Sequence, residues 1–351
     1  MKKILAVIGA RPQFIKHAPM ELELSKYMEV VTVHTGQHYD TNMSAVFFEE
    51  LKMKEPRYLL QVGSARHGKQ TGQMMIELEQ VVEAEKPDAV LVYGDTNSTL
   101  AGALVASKLH IPVIHIEAGL RSFNRDMPEE INRVLTDHVS ALLFAPTVRA
   151  VENLSKEGIT HSVHLSGDVM ADMVQIARKI IQNPPIVHPY YLVTLHRPYN
   201  TDDPVRLSQI LDALNGLDHP VVFAMHPRTR HKLLAEGVDP GHWENVSIIE
   251  PLSYFDSIAH QAYAEAVITD SGGVQKEAYL LGKKCITIRP ETEWVETLEH
   301  GWNTLVFEDL DALNQALKQH PGYYQADLYG SGQASVEISA IIKDFLNFPI
   351  K

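Results

Sequence analysis

The amino-acid sequence predicts an α/β protein made of two Rossmann-like, doubly wound parallel-sheet domains with a cleft between them. Three observations carry this prediction. Short, continuously apolar runs alternate with helical patterns along the chain, as strands buried on both faces of a parallel sheet require. The 351 residues exceed what one hydrophobic core usually serves, so two cores are expected. Unusual polar residues follow several of the apolar runs, and ligands of open α/β sheets bind beyond the carboxyl ends of strands.

In the first half the expected strands are Ile4 to Ile8, Val30 to His34, Ala89 to Tyr93, Val113 to Ile116, Ala141 to Phe144 and Val163 to Leu165. A helix-like segment then runs into Gln182-Asn183-Pro184-Pro185. Paired prolines cannot continue a helix, so the interdomain linker is expected there. The second series is Tyr190 to Leu195, Val221 to Met225, Val246 to Ile249, Ala266 to Thr269, Cys285 to Ile288 and Thr304 to Phe307. Ser335 to Leu346 carries apolar residues at helical spacing and is expected to pack back across both domains. The first domain thus takes residues 1–170 with the closing helix 335–351, and the second takes residues 171–334.

Hydrophobic residues at 45% and charged residues at 21% describe an ordinary globular chain. A formal charge of -13 argues against a nucleic-acid or membrane-surface partner, which would need a positive face, but leaves room for a basic pocket holding one small anion. Cys285 is the only cysteine, so no intrachain disulfide can form and a reducing, cytoplasmic setting is expected. Lys2 and Lys3 before Ile4 to Ile8 imitate a signal peptide, yet the run stops at Gly9-Ala10-Arg11-Pro12, which favours a buried first strand. No stretch reaches the ~20 apolar residues of a membrane span.

The strand exits carry the candidate chemistry. Gly9-Ala10-Arg11-Pro12-Gln13-Phe14-Ile15-Lys16 places a guanidinium and an ammonium near a helix N-terminus, where anions bind. It is neither a dinucleotide-binding glycine turn nor a P-loop, which counts against NAD and ATP. Gly94-Asp95-Thr96-Asn97-Ser98 follows the next exit, and any of its four polar side chains could cap a helix. Glu117 leaves a buried strand in His115-Ile116-Glu117-Ala118-Gly119-Leu120-Arg121, with an ion pair to Arg121 as the plain structural alternative. Pro128-Glu129-Glu130-Ile131-Asn132-Arg133 reads as a helix start, with proline first and acids on the positive end of the dipole. His196 and His226 each end a strand. In Asp270-Ser271-Gly272-Gly273-Val274-Gln275-Lys276-Glu277, small residues open a helix where a pyrophosphate can approach backbone N–H groups, and Glu277 could reach ribose hydroxyls. Metal readings are weak, because Asp309-Leu310-Asp311 falls at an expected helix cap and Cys285 inside a strand.

Taken in order, these pieces resemble the non-hydrolysing UDP-N-acetylglucosamine 2-epimerases, a family with the two-domain GT-B fold. The resemblance rests on Gly94-Asp95-Thr96, Glu117 to Arg121, Pro128 to Arg133, Thr194-x-His196-Arg197 and Asp270 to Gly273. It implies an enzyme that interconverts UDP-GlcNAc and UDP-ManNAc, works as a homodimer and needs neither metal nor NAD. It further implies that Asp95, Glu117, Glu129 and His196 line the sugar end and do the acid/base work. Arg11, Lys16, Arg133, Ser271, Gly272, Gly273 and Glu277 would then hold the substrate and its UDP.

The chain also departs from the commonest family pattern. Ala10 and Gln13 stand in a motif that many relatives write Gly-Thr-Arg-Pro-Glu, and Tyr199 stands near a family Glu. An activating second-ligand segment, Gln-His-x-Gln in such relatives, reads Gln37-His38-Tyr39-Asp40 here, with Lys69 in place of an Arg. Asp40 would repel a diphosphate and Lys69 cannot make a bidentate contact, so substrate activation is expected to be weak or absent. The same departures leave room for a related substrate such as the UDP-2,3-diacetamido glucuronate. A GT-B glycosyltransferase, a hydrolysing epimerase and a UDP-sugar sensor are the competing readings. The three-acid cluster argues against the transferase, a sensor has no use for buried acids at the sugar, and a hydrolysing epimerase would release free N-acetylmannosamine and UDP.

Overall fold

The computed structural model describes residues 1–37, 51, 53–235 and 240–347. Two compact units share the chain: unit 1 is Met1–Gln175 with Asp327–Lys351, and unit 2 is Ile176–Ala326.

Unit 1 begins with β1 (Lys3–Ile8), α1 (Arg11–Leu24), β2 (Glu29–His34), β3 (Tyr58–Leu59) and α2 (His67–Glu85). It continues with β4 (Ala89–Tyr93), α3 (Asn97–Lys108), β5 (Val113–Ile116), α4 (Pro128–Val139), β6 (Leu142–Ala145), α5 (Val148–Lys156) and β7 (Val163–Leu165). All its strand pairings are parallel, in the order β3-β2-β1-β4-β5-β6-β7. Ile4, Ala6 and Ile8 feed the core on one face of the sheet, and Leu5 and Val7 feed the core on the other. This two-sided burial is why β1 reads as an unbroken apolar run. The two-residue β3 has no such run, and the sequence reading passes over it.

α6 (Val169–Ile180) carries the chain from one unit to the next. The division falls inside this helix, between Gln175 and Ile176, upstream of the Pro184-Pro185 pair. Val169 packs into the unit 1 core, whereas Arg178 Nη2 donates to the Leu280 carbonyl of unit 2 at 3.0 Å.

Unit 2 repeats the plan with β8 (Tyr191–Thr194), α7 (Pro198–Thr201), α8 (Pro204–Asn215), β9 (Val221–Ala224), α9 (Pro227–Ala235), β10 (Val246–Ile249) and α10 (Tyr254–Tyr263). β11 (Ala266–Thr269), α11 (Gly272–Leu280), β12 (Lys284–Thr287), β13 (Asn303–Leu305) and α12 (Ala312–Lys318) follow. The sheet is again parallel, in the order β10-β9-β8-β11-β12-β13. The last helix, α13 (Ala334–Asn347), belongs to unit 1, where Ile338, Ile342 and Leu346 pack with Phe14, Met20 and Leu24 of α1. Asp172 fixes its start by accepting from Ser335 N at 2.8 Å and Ala334 N at 3.1 Å.

Both sheets reverse direction beside their first strand, between β1 and β4 in unit 1 and between β8 and β11 in unit 2. Such switch points open a crevice at the carboxyl ends of the strands. The loops that begin at Gly9, Gly94, Leu195 and Asp270 therefore start where ligands bind.

Candidate active site

At the unit 1 switch point, charged side chains meet in opposite-sign pairs. Lys16, on the second turn of α1, directs Nζ onto Glu117 Oε2, and both residues are buried. Arg133 Nη2 pairs with Asp95 Oδ2, and Arg133 Nη1 pairs with Glu130 Oε2 at 3.1 Å. Removal from water raises the Asp95 pKa above its ordinary value; Arg133 opposes this, and the negative charge of Glu117 adds to it.

Local sequence explains why these groups converge. Thr96 caps α3 by accepting from Thr99 N at 3.3 Å, and Thr99 Oγ1 accepts in return from Thr96 N at 3.1 Å. Capping is thus done by Thr96, which leaves Asp95 for Arg133. Gly94 has φ +61°, and a Cβ there would lie 3.1 Å from Glu117 Oε2 and 3.5 Å from Lys16 Nζ. Its bare backbone makes room for the ion pair. Glu117 itself has φ +71°, a left-handed conformation that costs a residue with a Cβ about 1–2 kcal/mol and that concentrates at functional sites.

The structure revises several sequence expectations here. Arg121 does not pair with Glu117. It binds Asp137 Oδ2 at 2.7 Å and Glu157 Oε1 at 2.7 Å, because Asp137 projects from α4 to meet it. Gln13, where the chain departs from the common family motif, is buried: it accepts from Gly9 N at 2.8 Å and donates to the Tyr93 carbonyl at 3.0 Å, tying the β1 exit to the β4 exit. Of the adjacent acids on α4, Glu130 turns inward to accept from Ser122 N and Phe123 N, both at 2.9 Å, while Glu129 is exposed. Arg11 opens α1 at the β1 exit. Gln37 directs Oε1 onto Ser98 N at 3.0 Å, and Lys69 is exposed on α2. His38, Tyr39 and Asp40 lie outside the described residues.

At the unit 2 switch point one buried carboxylate organises the loop. Asp270 Oδ1 accepts from His196 N at 3.0 Å and faces His196 Nδ1 at 3.1 Å, while Oδ2 accepts from Arg197 N and from Asn200 Nδ2, each at 3.0 Å. Burial pushes the Asp270 pKa up, but these donors, His196 foremost, hold it below the ordinary value. With Nδ1 turned to Asp270, Nε2 of the half-exposed His196 is left for a ligand. Sequence reasoning quoted Asp270 in a motif without assigning it this organising part. Its signal was an ionisable residue ending a buried strand two before a glycine.

Ser271 occupies the N-cap position of α11 with no side-chain cap bond. A Cβ on Gly272 would fall 2.3 Å from Glu293 Oε1, so the bare glycine lets the Glu293 carboxylate lie against the helix start. Gly273 follows it in the first turn. Glu277 is buried on the same helix and accepts from Gln261 Nε2 at 2.7 Å. Tyr199, 43% exposed, sets its ring against Phe307 with the centroids 5.5 Å apart.

Residues 20–343 match the family model described as UDP-N-acetylglucosamine 2-epimerase. The chain belongs to that family. A UDP-N-acetylglucosamine 2-epimerase homologue of Methanococcus maripaludis is 45% identical over 97% of this chain and 99% of its own. The UDP-2,3-diacetamido-2,3-dideoxy-D-glucuronate 2-epimerase of Pseudomonas aeruginosa is 47% identical over 96% and 98%. Among solved structures, the UDP-GlcNAc 2-epimerase of Methanocaldococcus jannaschii in complex with UDP-GlcNAc and UDP matches with a TM-score of 0.87 and 42% identity, covering 97% of this chain and 98% of its own. The two parallel-sheet α/β domains are of the GT-B type that these epimerases share.

Proposed function

We propose that this enzyme interconverts UDP-GlcNAc and UDP-ManNAc without hydrolysis, using the unit 1 carboxylates at the sugar and the unit 2 switch-point loops at the UDP. The observation that carries the reading is the pairing of Asp95 with Arg133 and of Glu117 with Lys16 at the switch point of a family member. C2 of the sugar is not next to a carbonyl, so its proton is barely acidic and direct exchange is closed. Breaking the C1–O bond makes proton loss an elimination: the C2–H pair forms the C1=C2 bond of a 2-acetamidoglucal, and UDP leaves with the C1–O pair. Re-addition of a UDP oxygen to C1, with a proton delivered to the other face of C2, completes the inversion.

Two faces require differently placed acid/base groups, for which Asp95, Glu117 and Glu129 are the candidates in unit 1, with His196 taking a further acid/base part from unit 2. Burial raises the pKa of Asp95, so it takes up a proton more readily than an ordinary carboxyl, which suits it to acid/base work. Arg11, Lys16 and Arg133 hold the substrate from unit 1. Ser271, Gly272, Gly273 and Glu277 hold the nucleotide from unit 2, where the start of α11 supplies N–H groups to the diphosphate so that UDP stays for re-addition. No NAD or resident metal enters this scheme. The enzyme is further proposed to act as a cytoplasmic homodimer in polysaccharide biosynthesis, with weak or absent activation by a second substrate molecule.

NMR of UDP-GlcNAc incubated with the enzyme in deuterated water tests the reading. Deuterium at C2 together with UDP-ManNAc is the expected result, and unchanged substrate or free N-acetylmannosamine would overturn it. The 47% identity to the diacetamido-glucuronate epimerase favours a second reading, in which that carboxylated sugar is the better substrate. Relative kcat/KM on the two nucleotide sugars decides between them.

A further inference from the structure

The exits of β4 and β5 are held together by a buried pair that the proposed reaction does not use. His115 and Asp137 have fully buried side chains. His115 Nδ1 lies 2.7 Å from Asp137 Oδ1, and its Nε2 lies 2.8 Å from the carbonyl oxygen of Gly94. Asp137 Oδ2 accepts from Gly119 N at 3.1 Å and from Arg121 Nη1 at 2.7 Å. One carboxylate and one imidazole therefore touch Gly94, the neighbour of Asp95, and Gly119, two residues beyond Glu117.

The donors fix where the protons lie. A carbonyl oxygen only accepts, so Nε2 carries a hydrogen. Asp137 Oδ2 meets only donors and carries none. A further hydrogen therefore lies between Nδ1 and Oδ1, whose 2.7 Å separation two bare acceptors could not hold. The surrounding charge closes on itself. Arg121 and His115 face Asp137, and Arg121 also binds Glu157, whose other partner is His138 at 3.4 Å.

We propose that His115 and Asp137 are a positioning pair for the reaction. They clamp the Gly94 carbonyl and the Gly119 amide so that Glu117 keeps its left-handed backbone and Asp95 keeps its place against Arg133. The inference rests on the acid/base roles proposed for Asp95 and Glu117. Catalytic carboxylates act only within a narrow tolerance, and a displacement of about 1 Å can lower a rate by on the order of 10²-fold. Glu117 sits in a strained conformation that the chain would relax if its flanks were released. The pair contacts backbone on both sides and no nucleotide-holding residue, so its effect falls on turnover and not on binding.

Asp137→Asn and His115→Gln test this, each compared with the parent and with Glu117→Gln at a temperature where circular dichroism shows the variant folded. Asparagine keeps an oxygen for Arg121 and Gly119 N but removes the oxygen that faces Nδ1, and glutamine keeps an N–H for Gly94. The expected result is a kcat, and a rate of deuterium entry at C2, lower by about 10-fold or more, with UDP affinity unchanged by calorimetry. Turnover within twofold of the parent in either variant, or UDP affinity falling in step with turnover, overturns the positioning role. If Glu117→Gln itself turns over at the parental rate, the reading of the site fails, and that outcome is distinct from a failure of the pair alone.

Discussion

Unit 1 and unit 2 place their switch points at equivalent strands and fill them with opposite chemistry. Between β1 and β4, long ionisable side chains reach inward and meet as Lys16 with Glu117 and Asp95 with Arg133. Between β8 and β11, the loop is small and held by backbone N–H groups that donate to the buried carboxylate of Asp270. The difference shows how one topology can divide a task. Side chains that change protonation suit bond-making at the sugar, whereas fixed N–H groups at a helix start suit a permanent anion such as a diphosphate.

The sharpest way to break this division is to neutralise the unit 1 acids. Asp95→Asn, Glu117→Gln and Glu129→Gln are each expected to lower turnover by ~10²-fold or more while UDP affinity stays near the parental value. Steady-state kinetics beside calorimetry checks it, and parental turnover in all three would end the assignment.

The complementary experiment alters unit 2. Ser271→Ala and Glu277→Ala are expected to weaken UDP binding by on the order of 1–3 kcal/mol each, with a smaller loss of turnover at saturating substrate. Unchanged calorimetric affinity in both would remove α11 from the nucleotide site.

A backbone change probes unit 1 more gently. Gly94→Ala forces a Cβ into a φ of +61° beside the Lys16–Glu117 pair, which is expected to cost about 1–2 kcal/mol of stability and to reduce turnover. Thermal unfolding and kcat together report the two effects.

The units also differ in how they meet acid. Burial holds His17 neutral in unit 1, with a pKa lowered to about 3, and His34 to about 4. A histidine whose folded pKa is depressed contributes stability that is fully present above its unfolded value of about 6.5 and is lost as pH falls towards 3. Asp270 in unit 2 is also depressed, but from the lower value of an ordinary carboxyl, so its contribution survives to more acidic solution. Acid titration followed by hydrogen exchange is expected to show unit 1 loosening first. The smallest expected effect concerns regulation: the reverse reaction from UDP-ManNAc should gain little from trace UDP-GlcNAc, and a long lag abolished by that trace would contradict this.

The strands and the motifs at their ends were legible because buried parallel strands leave continuous apolar runs and their exits are punctuated by glycine and polar residues. Partnerships were not. His115 finds Asp137 across the turn of β5 into α4, and Arg121 chooses Asp137 and Glu157 over the nearer Glu117. Such choices depend on how a helix is rotated against the sheet, which no linear spacing records. For the same reason spacing did not show that Glu130 is the buried one of the pair and Glu129, the residue assigned to the sugar by resemblance, the exposed one, since adjacent helical residues point about 100° apart and one rotation decides which is buried. Gln13 read only as a departure from the family motif and proved to be a clasp between two loops.

The last helix has a consequence for how the protein is made. Unit 2 is one unbroken stretch, Ile176–Ala326, whereas unit 1 needs both Met1–Gln175 and the segment from Asp327 onward. A ribosome delivers the sheet of unit 1 first, but Phe14, Met20 and Leu24 wait for Ile338, Ile342 and Leu346, which follow the whole of unit 2 in the chain. Unit 1 is begun before unit 2 and closed after it, so unit 2 can be complete on the nascent chain before the last helix covers α1.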